Sequence, residues 1–187
     1  MTRPRAIAIT TILTAAIVAA AVLLYGHTSF KLPELPAITP GYYPVTNVVD
    51  GDTIDVNMGG KTERIRLIGV DTPETKKPNA PVQCFGPQAS DYTHKTLTGK
   101  SVRLEADPQD DNRDRYGRLL RYVYLQDGTL FDEALIQQGY GFAYVLFPFG
   151  KKAEFIKAQD AAQSAKVGLW AACMPAKSGE KWISNDL

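Results

Sequence analysis

At 187 residues, 44% hydrophobic and 22% charged, the chain has room for one well-packed domain, and its composition excludes a disordered polymer or a fibrous repeat. The formal net charge is only +1, and it drops slightly below zero once Arg3 and Arg5 are set aside with an N-terminal leader. A protein that merely coats nucleic acid through counterion release is therefore disfavoured, whereas an enzyme needing one local cationic site is not.

The first element in chain order is an apolar run, residues 6–25, free of charge and preceded by Arg3 and Arg5. About 20 helical residues rising about 1.5 Å each span a bilayer core of roughly 30 Å. Ala19 to Ala21 offer small residues for signal cleavage, but Val22, Leu23 and Leu24 prolong the run beyond the usual signal-peptide length. The expectation for residues 1–25 is an uncleaved membrane anchor, with a cleaved signal and a secreted or periplasmic product as the alternative. The arginines stay inside by the positive-inside rule, so the remainder of the chain is expected outside the cytoplasm. Residues 26–42, with Pro33, Pro36 and Pro40, read as a Pro-rich linker, and residues 43–175 as the domain itself.

Within the domain, residues 45–49 and 53–58 are β-rich and separated by the tight Asp50-Gly51-Asp52 corner. Gly59-Gly60 turns the chain into a third predicted strand, residues 62–70. Pro87 opens an amphipathic helix through Leu97 that Gly99 ends. Val102, Leu104 and Ala106 then alternate with polar residues as in a half-buried strand. A polar loop, residues 108–117, leads to a strand over residues 118–125. Thr129 is placed to cap a helix running to Gln138 and stopped by Gly139. Phe155, Ala158, Ala162, Ala165 and Leu169 fall at helical intervals, with Gly168 as a stop signal, and residues 176–187 read as a C-terminal tail. This order predicts an α+β, mainly β fold: a small antiparallel five-stranded barrel of the OB type with three helices.

Cys84 and Cys173 are the two cysteines of the exported portion, and in an oxidising compartment they are expected to pair. His27 and His94 have no ligand spacing for zinc, which argues against a zinc or cysteine hydrolase.

Asp50-Gly51-Asp52-Thr53 sets two carboxylates about a glycine corner, and Asp71-Thr72-Pro73-Glu74 sets two more just after a strand. Clustered carboxylates repel one another, and gathering them makes sense around a hard cation such as Ca²⁺. Arg66 leads into Asp71, and Arg118 follows Tyr116-Gly117. Guanidinium groups hold phosphate through paired hydrogen bonds, so these carboxylates and arginines form a minimal kit for phosphodiester hydrolysis.

The run from Val49 to Thr53, the run from Arg66 to Glu74 and the run Asp114-Arg115-Tyr116-Gly117-Arg118 resemble, in order, the three signature blocks of the staphylococcal nuclease (thermonuclease) family. Gly86-Pro87, Asp132-Glu133-Ala134-Leu135, Gln138-Gly139, Ala143-Tyr144-Val145 and Gly168-Leu169-Trp170 extend the resemblance over nearly the whole domain. It implies a calcium-dependent nuclease that cuts DNA, with RNA as a candidate second substrate, to 3′-phosphate products. Asp52, Asp71 and the carbonyl of Thr72 match metal ligands, and Asp50 a carboxylate behind them. Glu74 matches the group that orients or deprotonates the attacking water. Arg66 and Arg118 match the pair that neutralises the phosphoryl oxygens, and Tyr116 and Tyr144 line the nucleotide pocket. The expected partners are the nucleic acid and, through the N-terminal helix, the membrane, for a monomer without a protein partner. The alternative is a catalytically inactive OB module that only binds nucleic acid or protein, but such copies lose the arginines or carboxylates retained here. One departure is Leu146, where the family's type member packs a tyrosine on the base; Phe147 or Phe149 is then the candidate substitute.

Overall fold

The computed structural model describes residues 41–75 and 81–187. The expected anchor and most of the linker lie outside these residues, and His27 with them. Among the described residues no helix is long and apolar enough to cross a membrane.

Five strands close into a barrel: β1 (Tyr42–Val48), β2 (Thr53–Met58), β3 (Lys61–Leu67), β5 (Ser101–Glu105) and β6 (Leu119–Tyr124), in the order β1-β2-β3-β6-β5. Closure leaves no unpaired edge for another chain to extend. Apolar side chains fill the interior, with Ile54, Val56, Ile65, Leu67, Val102 and Val123 almost wholly buried. In β3, alternation sends Ile65 and Leu67 inward and leaves Arg64 and Arg66 on the opposite face. Register then sets Arg66 opposite Thr53, beside the Asp50-Gly51-Asp52 corner.

The helices are α1 (Gly86–Leu97), α2 (Phe131–Gln137), α3 (Lys152–Ser164) and a short α4 (Leu169–Ala172). Leu97, Phe131, Leu135, Ile136 and Phe155 bury themselves in the core shared with the barrel strands. Burying one such side chain stabilises the fold by about 1.5–3 kcal/mol.

Five expectations are corrected. The barrel is not wholly antiparallel, because β3 pairs with β6 in parallel. Periodicity carries no strand direction, and the long connection through α1 and β5 brings β6 back in the same sense as β3. The predicted third strand is not continuous to Val70: β3 stops at Leu67 and Gly69 turns at φ 70°. A Cβ at Gly69 would sit 2.6 Å from the Phe149 ring, so glycine is required for space as well as for conformation. The next residues form β4 (Val70–Asp71), antiparallel to β7 (Phe142–Ala143).

Thr129 does not cap α2, whose first residue follows Leu130 with no side-chain cap. Thr129 instead closes a turn, donating its N–H to Asp127 Oδ1 and accepting at its carbonyl from Leu125 N. The last helical pattern is also two helices rather than one. Lys166 turns at φ 52°, and Gly168 packs so closely on Gly139 that a Cβ there would lie 2.4 Å from the Gly139 carbonyl oxygen.

Cys84 and Cys173 form the expected disulfide, with Cα atoms 5.9 Å apart. The segment read as a tail is folded: β8 (Ala176–Ser178) and β9 (Lys181–Ile183) make a hairpin. Trp182 stacks on Phe142 and meets Trp170 edge-on. Beyond it, Asn185 accepts from Cys84 N at its carbonyl, and Ser184 Oγ donates to the Cys84 carbonyl.

Candidate active site

The corner between β1 and β2 is held from both sides. Thr93 Oγ1 of α1 donates to the Gly51 carbonyl at 2.7 Å, and Asp50 Oδ1 accepts from Asp52 N at 3.2 Å. A Cβ at Gly51 would lie 2.6 Å from Thr72 Oγ1, so the absence of a side chain there lets the segment after β4 close on the corner. Asp52 then reaches across: its Oδ2 accepts from Thr72 N at 2.9 Å and from Thr72 Oγ1 at 3.1 Å. Its Oδ1 accepts from Thr53 Oγ1 at 3.0 Å and pairs with Arg66 Nε at 3.2 Å.

Arg66 binds both carboxylates. One terminal nitrogen donates to the carbonyls of Leu67 and Val70 at 2.7 Å each, and the other lies 3.3 Å from Asp71 Oδ1. Asp52 and Asp71 therefore share one guanidinium, and those two carbonyls fix its orientation. Burial alone would weaken the charge of Arg66, but Asp52, Asp71 and Asp50 more than offset this. The carboxylates feel the opposite pressure. Burial first, and the neighbouring Asp52 charge second, push Asp50 up to about 6. Burial also raises Asp71, against the pull of Arg66.

Glu74 is placed through its backbone. Its N–H donates to Gln83 Oε1 at 2.8 Å and its carbonyl accepts from Gln83 N at 2.9 Å. Gly86, which opens α1, packs against this segment, where a Cβ would stand 3.0 Å from the Glu74 and Pro73 carbonyl oxygens. Glu74 Oε1 accepts from Thr75 N.

Arg118 precedes β6 and pairs through Nε with Asp114 Oδ2 at 2.6 Å. Its guanidinium lies 5.4 Å from the centre of the exposed Tyr116 ring. Tyr144 follows β7, donating its N–H to the Gly69 carbonyl, and its ring stands 5.9 Å from that of Phe147. Phe147 is exposed beside Tyr144 while Phe149 is buried against Phe155, so of the two candidate substitutes only Phe147 is free to meet a base.

Asp50, Asp52, Arg66, Asp71, Thr72, Glu74, Tyr116, Arg118 and Tyr144 all line one cleft of ≈ 930 Å³. His94 lies apart on the exposed side of α1. Sequence reading gave no role to several members of the cleft, Asp114 and Lys181 among them. Asp114 lay inside a quoted motif without a role, and Lys181 of β9, 3.0 Å from Asp71 Oδ2, lay in the presumed tail.

The oxygen atoms of Asp52, Asp71 and Thr72 form a hard donor set, free of imidazole and thiolate, that suits calcium or magnesium rather than a soft ion. Among the described residues no group of three His, Cys, Asp or Glu side chains is placed to hold a metal ion. A cation there needs backbone oxygen, water or substrate oxygen to fill its shell. Arg66, beside the carboxylates, and Arg118 both line this cleft. Such a pair binds the non-bridging oxygens of a phosphodiester and stabilises charge that grows on them during attack.

Residues 64–172 match the family described as staphylococcal nuclease homologue. The chain is 46% identical over 142 residues to the thermonuclease of Staphylococcus hyicus, an alignment covering 75% of this chain and 82% of the relative. It is 46% identical over 129 residues to the thermonuclease of Staphylococcus intermedius, covering 68% and 75% respectively. It is 43% identical over 124 residues to endonuclease YncB of Bacillus subtilis, covering 65% and 58%.

Proposed function

The chain belongs to the staphylococcal nuclease homologue family and is a nuclease, and we propose that it is a calcium-dependent one that cuts DNA to 3′-phosphate products, with RNA as a second candidate substrate. The observation that carries this reading is the sharing of Arg66 by Asp52 and Asp71 in the cleft that Arg118 also lines.

In this reading Asp52, Asp71 and the Thr72 carbonyl hold Ca²⁺, with Asp50 behind them. The bound ion supplies positive charge to the phosphate and lowers the pKa of water beside it. Arg66 and Arg118 bind the non-bridging oxygens and hold the ester in line for attack. Glu74 orients a water molecule and accepts its proton as the oxygen closes on phosphorus. The bond from phosphorus to the 5′ oxygen breaks, and Arg118 favours departure of that oxygen. The proton taken by Glu74 passes through solvent to the leaving group, leaving a 3′-phosphate and a 5′-hydroxyl. Tyr116 and Tyr144, with Phe147, flank the nucleotide on either side.

The proposed setting is extracytoplasmic. Residues 1–25 anchor the protein to the membrane, or are removed as a signal to release it, and the nuclease domain works as a monomer. Digestion of single-stranded DNA by the full chain, with calcium and then with chelator, tests the activity. Cleavage that survives chelation, or that Glu74→Ser leaves undiminished, overturns the mechanism.

A further inference from the structure

Both oxygens of Asp71 are engaged by cations. Oδ1 faces Arg66 at 3.3 Å, and Oδ2 faces Lys181 Nζ at 3.0 Å. The two partners differ in how firmly they are held. Arg66 is nearly buried and locked by its donations to the Leu67 and Val70 carbonyls. Lys181 reaches in on a flexible stem, is 36% exposed, and has the Tyr144 ring 5.4 Å from its ammonium group as its other neighbour.

The placement of Lys181 is built rather than incidental. β9 is anchored by Trp182 against Phe142 and Trp170, and the segment leading to the hairpin is joined to Cys84 by the disulfide. Met174 N donates to Asn185 Oδ1, closing the base of the same segment. This hairpin lies beyond residues 64–172, the segment over which the family model matches.

A divalent cation approaching Asp71 meets a carboxylate already flanked by two positive charges. Arg66 has no room to leave, whereas an ammonium on a four-carbon stem swings away at little cost. We propose that Lys181 is a built-in counter-cation of the metal site: it occupies Asp71 Oδ2 while the site is metal-free and gives way when a divalent cation binds, thereby setting the affinity for that cation. This inference rests on the assignment of Asp71 as a metal ligand.

The test is calorimetric titration of Ca²⁺ into the purified full chain, disulfide intact and without nucleic acid, for the parent, Lys181→Met and Lys177→Met. Lys177 sits on the same hairpin with its ammonium over Trp182, so it controls for a general change of charge. Removing one nearby charge in a partly screened site is expected to tighten Ca²⁺ binding roughly tenfold in Lys181→Met, with Lys177→Met within about twofold of the parent. Equal affinities of Lys181→Met and parent, or equal tightening in both variants, overturn the inference while leaving the metal assignment standing. No calcium binding by any of the three removes the metal assignment, and the inference with it. A second measurement needs no variant: amine labelling of the parent read by mass spectrometry should show Lys181 becoming more reactive when calcium is added while Lys177 does not. Unchanged Lys181 labelling in calcium-saturated protein contradicts displacement.

Discussion

Asp114 grips Arg118 twice, accepting its side-chain Nε at 2.6 Å on Oδ2 and its backbone N–H at 3.0 Å on Oδ1. The same Oδ1 accepts from Tyr116 N at 2.9 Å, so one carboxylate ties the turn that carries both the arginine and the tyrosine of the cleft. Burial pushes the Asp114 carboxyl up, but the bonds from Arg118 outweigh it and hold the group below the usual carboxylate range. Asp114 thus acts as a positioning residue for Arg118. Arg118→Ala should lower kcat by about 10²–10³-fold, the scale of losing one donor to a charged transition state. Asp114→Ala should lower it by roughly tenfold, and the double variant should be no worse than Arg118→Ala alone, because residues acting as a unit are not additive. Steady-state kinetics on one oligonucleotide checks all three, and losses that multiply would show that Asp114 works independently of Arg118.

Arg66 carries a second expectation, on stability as well as rate. Its guanidinium is the donor for two carbonyls and the counter-charge for Asp52 and Asp71. Arg66→Met keeps the length of the stem but leaves those groups without it. Removing one partner of a buried ion pair costs about 3–5 kcal/mol, so the urea midpoint should fall well below that of the parent and cleavage should be lost. An unchanged midpoint would mean that water replaces the guanidinium without penalty.

These two arginines were legible in the sequence for the same reason that they are clustered in space. Arg66 leads into Asp71 within one short run, and Arg118 sits four residues after its partner Asp114, so local spacing carries most of the geometry. The barrel was legible from the β-rich residues 45–49 and 53–58 and from the alternation around Val102 and Leu104, where one face must be buried. The parallel pairing of β3 with β6 was not, since side-chain alternation is the same in either direction. Nor was the break at Gly69, where a side chain would meet the Phe149 ring of a residue 80 positions away in the chain. Lys181 left no local trace: three-residue strands are too short to show a period, and its contact with Asp71 depends on anchors at Cys84, Phe142 and Trp170.

The disulfide bears on stability directly. It joins positions separated by 89 residues, closing a loop that contains most of the domain. Replacing both cysteines by serine should cost about 2–4 kcal/mol, mainly by freeing the unfolded chain. Denaturant unfolding of the parent and the double variant without reductant measures this, and reductant should lower the parent to the variant's midpoint. Two titratable thiols in untreated parent protein would remove the basis of the comparison.

Asp132 sets a pH dependence whose sign follows from its surroundings. It is fully buried in α2; Oδ2 accepts from Val123 N at 2.8 Å, while Oδ1 has no hydrogen-bond partner. Burial raises its carboxyl well above the ordinary value, and the Val123 N–H offsets only part of this. Between the ordinary and the raised value the native state keeps a proton that the unfolded chain has released. The unfolded state therefore binds fewer protons, and this group's contribution to stability declines as pH rises through that window. Asn at this position has no proton to lose. The difference in unfolding free energy between Asp132→Asn and the parent, and the Tm difference with it, should thus move in favour of the variant on going from about pH 4 to about pH 7, the free energy by no more than about 1.4 kcal/mol per pH unit, whatever its value at the acid end. Melting curves at several pH values between these limits check the slope, and a difference that stays constant would show that Asp132 ionises as readily in the folded protein as in the unfolded chain.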